Sequence, residues 1–344
     1  MTISARDLEQ LRSSLPLLSV EQLSTTFVSG DWRVAAVRGV SFSIARGETL
    51  VLLGESGSGK SVTARSILRL YGPRTELKGR VMLDGIDLVQ ATQNDVNQLR
   101  GSRMGLVSQD PGSALDPVRR VGSQLREVLR VHQPGLSRNE AAARAIDLLS
   151  LVGLPDPTRA ARSYPHELSG GMRQRVVIAL AVSCEPDLLI ADEPTTALDV
   201  TVQAQILELI GELKGRLGMG TLLVTHDVGV ARQMADRVAV MYAGRIVEQG
   251  AADQVLGDPA HPYTAALLAA LPTSGAVRGS LLPIPGRPPQ PGELGSGCPF
   301  APRCRFADEA CAAEEPALTP VPGRGAAACI RPLTMAGTMA GSRT

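Results

Sequence analysis

Gly54-Glu55-Ser56-Gly57-Ser58-Gly59-Lys60-Ser61 has the form G-x-x-x-x-G-K-[ST], a spacing suited to holding a triphosphate. The glycines let backbone N–H groups curl around phosphate oxygens. Lys60 then reaches the β- and γ-phosphates, and the Ser61 hydroxyl is placed to bind Mg²⁺. Nucleotide binding is assigned to this run and to Val62 after it. Lysine is scarce in the chain, with Lys60, Lys78 and Lys214 the only three, so a lysine inside a motif carries weight. Asp192 ends an apolar run, Leu188 to Ala191, and Glu193 follows it. A carboxylate at the carboxyl end of a parallel strand can hold Mg²⁺ through water, and its neighbour can orient an attacking water. Leu168-Ser169-Gly170-Gly171 precedes a helical stretch and forms a second anion-binding helix start. One triphosphate does not need two such cradles. The pair therefore suggests two molecules sandwiching nucleotide, each completing the other's site.

The surrounding sequence supplies elements to position these groups. Residues 18 to 53 are β-rich, and Thr49-Leu50-Val51-Leu52-Leu53 is a continuous apolar run of the buried-strand type. Strand, glycine loop and a helix carrying Val62, Ile67, Leu68 and Leu70 make the opening of a βαβ unit. From about Val121 to Gly153 apolar residues recur at three and four, which predicts helices without strands. Strands and helices then alternate again: Leu188 to Ala191, a helix over Val202 to Leu217, and a strand over Thr221 to Val224. Arg237 to Met241 and Arg245 to Val247 flank Tyr242-Ala243-Gly244 as a hairpin. The fold class is therefore α/β, a phosphate-loop core with an N-terminal β part and a helical insertion.

Lys+Arg is 35 and Asp+Glu is 34, so the net charge is +1, smaller than a chain gripping nucleic acid through a basic face would carry. Nucleic acid is not an expected partner. The longest apolar candidate, Val176 to Cys184, is nine residues, too short to cross a bilayer. The first twenty residues lack a signal-peptide apolar block, and the chain is expected in the cytosol, free to lie against a membrane protein. Near residue 270 the composition changes. Twelve of the 24 prolines lie between Pro272 and Pro332, which excludes long helices and central strands there. Cys298, Cys304, Cys311 and Cys329 fall in the same stretch, separated by five, six and seventeen residues. No pair has the C-x-x-C spacing of zinc ribbons, so spacing leaves metal ligation and free thiols both open. A segment too proline-rich to fold on a core would gain folding energy from a metal. Cys184 reads as a small buried apolar residue.

The Leu-Ser-Gly-Gly stretch, 23 residues before Asp192, resembles the signature of the ATPase subunits of ABC transporters. Further positions match in order. Gln109 matches the glutamine loop that senses Mg²⁺ and the γ-phosphate, Ala197-Leu198-Asp199 the loop crossing the dimer interface, and His226 the switch histidine at the γ-phosphate. Trp32 is taken as the ring that stacks on adenine, with Phe27 as its competitor. The resemblance runs over about residues 18 to 330 and narrows. Gln109-Asp110-Pro111, Leu115-Asp116-Pro117 and His261-Pro262-Tyr263-Thr264, with the tail cysteines, resemble the dipeptide/oligopeptide branch of bacterial importers. That branch commonly has Asn where this chain has Asp116.

The resemblance implies an ATP-hydrolysing subunit with ATP and Mg²⁺, catalytic Lys60, Gln109, Glu193 and His226, and Ser61, Gln109 and Asp192 at the Mg²⁺. It implies two integral-membrane permease subunits, a second ATPase subunit, an external solute-binding protein acting indirectly, and a peripheral place on the cytoplasmic face of the membrane. Some relatives carry an iron–sulfur cluster in the same tail, which points Cys298, Cys304, Cys311 and Cys329 to a 4Fe–4S cluster, with zinc as the alternative. His261 and Tyr263 are assigned packing roles only. The expected layout is an extension over 1–17 and an ATPase domain over 18–270 with its helical part near 110–185. A C-terminal extension over 271–335 and a flexible end over 336–344 complete it. A soluble ABC ATPase of DNA repair or translation is the alternative, disfavoured because the chain holds one cassette and no long coiled coil. A GTPase is excluded by the lack of an Asn-Lys-x-Asp motif. The transported solute, and whether the second ATPase subunit is another copy of this chain, stay open.

Overall fold

The computed structural model describes residues 15–196, 198–270 and 284–334. Most of the expected 1–17 extension, Ala197, the first part of the 271–335 extension and the expected end at 336–344 lie outside them. The N-terminal part forms β1 (Leu18–Ser29), β2 (Trp32–Ile44), β3 (Thr49–Leu53), α1 (Lys60–Ile67), β4 (Thr75–Leu83), β5 (Ile86–Asp87), α2 (Gln93–Leu99) and β6 (Met104–Val107). Five helices follow in a row with no strand among the first four, α3 (Pro111–Ala114), α4 (Val121–His132), α5 (Arg138–Leu151), α6 (Pro157–Arg162) and α7 (Gly170–Val182). Alternation then resumes with β7 (Leu188–Asp192), α8 (Val200–Leu217), β8 (Gly220–Thr225), α9 (Val228–Met234), β9 (Arg237–Tyr242) and β10 (Arg245–Ala251). The chain closes with α10 (Ala252–Gly257), α11 (Pro262–Ala269), α12 (Glu309–Ala313), β11 (Thr319–Val321) and β12 (Gly325–Ala327).

These elements gather into two compact units that interleave along the chain. Among the described residues, the first takes 15–18, 44–48 and 82–223, and the second 19–43, 49–81 and 224–334. In the first, β6 and β7 run parallel with Val107 opposite Ala191, and all of β7 is buried. Gly105 lies so close to α7 that a Cβ there would stand 2.3 Å from the Ala181 carbonyl oxygen. The helical stretch has the expected amphipathic logic: α4 buries Val121, Leu125 and Leu129, and α5 buries Ala141, Ala145, Leu148 and Leu149. Ser137 and Glu140 form a reciprocal capping box that starts α5. Arg46 and Arg103 each pair with both Asp84 and Asp187, and the Arg103 guanidinium holds the Asp84 carboxyl below its ordinary range.

In the second unit β3 lies parallel to β9, and β9 pairs antiparallel with β10 through the Ala243-Gly244 turn. Proline blocks long elements in the C-terminal region, yet the chain there still adds two three-residue strands to the sheet. β12 pairs with β10, and β11 pairs with β12. That region is held by more than strands. Phe300 is 3% exposed and packs edge-on to Tyr242 and Tyr263, and Leu333 is also buried.

Candidate functional site

The phosphate-loop motif falls between β3 and α1, in the second unit. Two of its glycines are required by close approach of backbone: a Cβ on Gly54 would stand 2.3 Å from the Met241 carbonyl oxygen, and one on Gly59 2.6 Å from that of Ala36. Gly244 N–H donates to the Ser58 carbonyl at 2.9 Å, tying the loop to the β9–β10 turn. Lys60 opens α1 and is 4% exposed; its Nζ donates to the carbonyl oxygens of Gly54 at 2.8 Å and Glu55 at 2.9 Å. The Ser58 hydroxyl is buried and has no hydrogen-bond partner among the described residues. A buried ammonium, an unsatisfied hydroxyl and a glycine-rich turn at a helix start fit a bound phosphate chain. Ser61 and Val62 follow on α1. His226 lies in the same unit, exposed just past β8, between Thr225, which accepts from Asp227 N–H, and Asp227, which caps α9.

Of the two rings considered for adenine, Phe27 meets Tyr71 edge-on at 5.0 Å, whereas Trp32 stands 78% exposed. The remaining motifs fall in the first unit. There the parallel register of β6 and β7 brings two of them together. Gln109 and Glu193 each lie two residues beyond the facing pair Val107 and Ala191, and Gln109 Nε2 donates to Glu193 Oε2 at 3.1 Å. The same oxygen accepts from Thr196 Oγ1 at 2.9 Å. Glu193 has φ 49°, a left-handed backbone that costs a non-glycine residue about 1–3 kcal/mol. Asp192, just before it, is 1% exposed. Ser169 is exposed and caps α7 by accepting from Met172 N–H at 3.3 Å. A Cβ on Gly171 would lie 2.7 Å from Val202 Cγ1, so glycine is what lets α7 sit against α8.

The four tail cysteines are free, with Cys311 buried and the others half-buried. Burial pushes the thiols of Cys298 and Cys304 up, and that of Cys329 up to about 11. Backbone N–H groups oppose this: those of Phe300 and Ala301 point at Cys298, those of Phe306 and Ala307 at Cys304, and that of Arg331 at Cys329. Cys329 also feels the charges of the other three sulfurs. Yet no group of three or more His, Cys, Asp or Glu side chains among the described residues is gathered closely enough to hold a metal. Cys184 is half-buried rather than buried, and burial raises its thiol.

One expectation needs correction, and one contact was not foreseen. The C-terminal region reaches the phosphate loop: Arg303 and Glu55, 248 residues apart, form a bidentate ion pair. Tyr263 does more than pack, because its hydroxyl accepts the Glu55 backbone N–H at 2.9 Å. A tyrosine on a short apolar helix and one arginine among many gave no sequence signal for either contact.

Residues 37–196 match the family model described as ABC transporter, and residues 247–311 that of the oligopeptide/dipeptide transporter C-terminal region. The chain is 48% identical over 317 residues to the oligopeptide transport ATP-binding protein OppD of Mycobacterium tuberculosis, covering 92% of this chain and 52% of OppD. It thus spans about half the length of that relative. A Brucella abortus protein named "Putative peptide import ATP-binding protein" is 48% identical over 332 residues, with 93% of this chain and 98% of that protein covered. Among solved structures, the ATP-binding cassette MJ0796, in a dimeric post-hydrolysis state bound to ADP and Pi, superposes with a TM-score of 0.62 at 29% identity. That match covers 68% of this chain and 98% of the cassette. The cbiO1 subunit from Clostridium perfringens gives 0.59 at 29% identity, over 70% of this chain and 90% of its own. Among the described residues no helix is long and apolar enough to cross a membrane. A match to the ABC transporter family model, the C-terminal region that follows it and 48% identity over nearly the whole Brucella protein give one assignment: the chain belongs to the ATP-binding proteins of ABC transporters, in the oligopeptide/dipeptide branch.

Proposed function

We propose that this chain binds and hydrolyses ATP to drive import of peptides or related small solutes, as one of two ATPase subunits on the cytoplasmic face of a membrane permease pair. The observation that carries the reading is the phosphate loop, with Lys60 buried against it and the Ser58 hydroxyl left for a ligand oxygen. Lys60 and the loop N–H groups hold the β- and γ-phosphates, and the exposed Trp32 stacks on adenine. Ser61, Asp192 and Gln109 hold Mg²⁺, which neutralises charge developing on the transferring phosphoryl. Glu193 orients and polarises the attacking water, and Gln109, already bonded to it, sets its direction. His226 contacts the γ-phosphate, and Ser169, Gly170 and Gly171 serve the nucleotide of the facing subunit. The layout read from sequence, a cassette over 18–270 with a helical part near 110–185 and an extension over 271–335, is the domain organisation proposed. In the helical part a groove of about 470 Å³ is lined by Val118, Arg120, Arg126 and Tyr164, and the 79% exposed Val118 suits it to a permease segment.

Lys60→Ala is expected to lose most ATP affinity. Glu193→Gln is expected to keep affinity while losing turnover, because only water activation goes. Parental hydrolysis by Glu193→Gln in the assembled complex would overturn the assignment.

We also propose that Cys298, Cys304, Cys311 and Cys329 close around one 4Fe–4S cluster. All four cysteines lie in one proline-rich segment, and backbone N–H groups aimed at three of the sulfurs would hydrogen-bond the thiolates once a metal displaces their protons. Anaerobically purified protein is then brown, with about four iron and four acid-labile sulfide per chain. One zinc and no colour would reassign the site, and no metal would remove it.

A further inference from the structure

Glu55 is the second residue of the phosphate loop, and both its carboxylate and its N–H are held by the C-terminal third of the chain. Arg303 Nη1 donates to Glu55 Oε2 at 2.7 Å and Nη2 to Oε1 at 3.0 Å. The arginine is 7% exposed, and its Nε donates to the Pro285 carbonyl at 2.8 Å, which fixes the plane of the fork. It ends the tight turn Ala301–Arg303, directly before Cys304. The Glu55 N–H donates to Tyr263, whose ring packs 4.5 Å from Tyr242 and 5.3 Å from Phe300. A second tie reaches the far side of the loop. Glu315 accepts both Nη groups of Arg38, at 3.1 and 2.7 Å, and Arg245 Nη1 at 2.8 Å. Arg38 N–H donates to the Gly244 carbonyl, and Gly244 N–H donates to Ser58.

We propose that Arg303 is a positioning residue of the nucleotide site, making the cysteine-bearing segment a working part of the phosphate loop. The physical reason is charge. A carboxylate within the loop opposes an incoming polyanion unless a cation is fixed on it, and a flexible carboxylate also competes for Lys60 and the loop N–H groups. Arg303 removes both effects, because its bidentate grip neutralises Glu55 and points both carboxylate oxygens at the guanidinium. Tyr263 aligns the peptide that leads into the loop. The inference rests on the ATP-binding reading above.

The test uses the full chain, a fluorescent ATP analogue with Mg²⁺ and steady-state hydrolysis in the assembled complex. Arg303→Met is expected to weaken nucleotide binding about tenfold or more, the size of one charge-assisted hydrogen-bonded pair, with KM rising more than kcat falls. Adding Glu55→Gln to Arg303→Met removes the bare charge and is expected to recover most of the affinity, which lost packing alone would not. Tyr263→Phe deletes a single oxygen, so the fold is retained, and it is expected to weaken binding severalfold. Should Arg303→Met fail to fold, Tyr263→Phe decides alone. Affinity within twofold of the parent in the variants that fold, or a loss in Arg303→Met that Glu55→Gln does not relieve, overturns the inference. A parent chain that binds no nucleotide, indifferent to Lys60→Ala, instead overturns the ATP reading.

Discussion

His261 shows how a residue with no chemistry of its own can set the acid tolerance of the second unit. Its ring is 2% exposed, its Nδ1 accepts the Tyr263 N–H at 3.0 Å, and it interacts with Ala328, so the neutral tautomer is built in. Burial pushes its pKa down to about 4 from an ordinary 6.5. Between those values the unfolded chain binds a proton that the folded chain refuses, so stability falls as pH drops through that window. The stability gap between parent and His261→Asn is expected to narrow by on the order of 3 kcal/mol from pH 7 to pH 4. Glu248, raised by burial, accepts the His261 backbone N–H, a bond that the Asn variant keeps. Urea midpoints across that range check this, and a constant gap would refute it.

At the scale of elements, the start of α7 makes the sharpest prediction. Ser169 caps the helix from an exposed position, so Ser169→Arg is expected to leave ATP affinity of the single chain within about twofold while dimer-dependent turnover disappears. A large loss of affinity in the isolated variant would place Ser169 in its own site. Gly171→Ala drives a methyl into Val202 and is expected to destabilise by about 1–3 kcal/mol, read from the denaturation midpoint. Much of this scaffold was legible in the sequence. The runs Thr49–Leu53 and Leu188–Ala191 announce buried strands because both faces of a parallel strand are apolar, and spacing at three and four gives α4 and α5. The strands β11 and β12 were illegible, because three residues each, with a proline inside β11 and a glycine opening β12, carry no periodicity. So was the Arg303–Glu55 pair, since neither charge differs in sequence from a solvated one. The contact between Gln109 and Glu193 follows from strand register, which a single sequence does not fix.

For the whole molecule the expected behaviour is association on demand. Ser169 and the 84% exposed Val200 leave signature-side surface open for a partner cassette, and a hydrolysis-blocked chain should collect in that closed form. Sedimentation velocity of Glu193→Gln is expected to show monomer without nucleotide and dimer with Mg²⁺ and ATP. Monomer under both conditions would refute self-pairing. The strand order at the C-terminal end of the second unit has another effect. β12 satisfies the free side of β10, with Ala328 N–H bonded to the Val247 carbonyl, and β11 is then last in line. That outermost strand is three residues long, and Pro320 at its centre has no N–H to offer a neighbour. A chain cut before residue 319 would present β10 bare, with Val247 to Gln249 ready to pair with another molecule. The cysteine-bearing region therefore also terminates this sheet edge, leaving little free backbone for edge-to-edge pairing between copies of the chain.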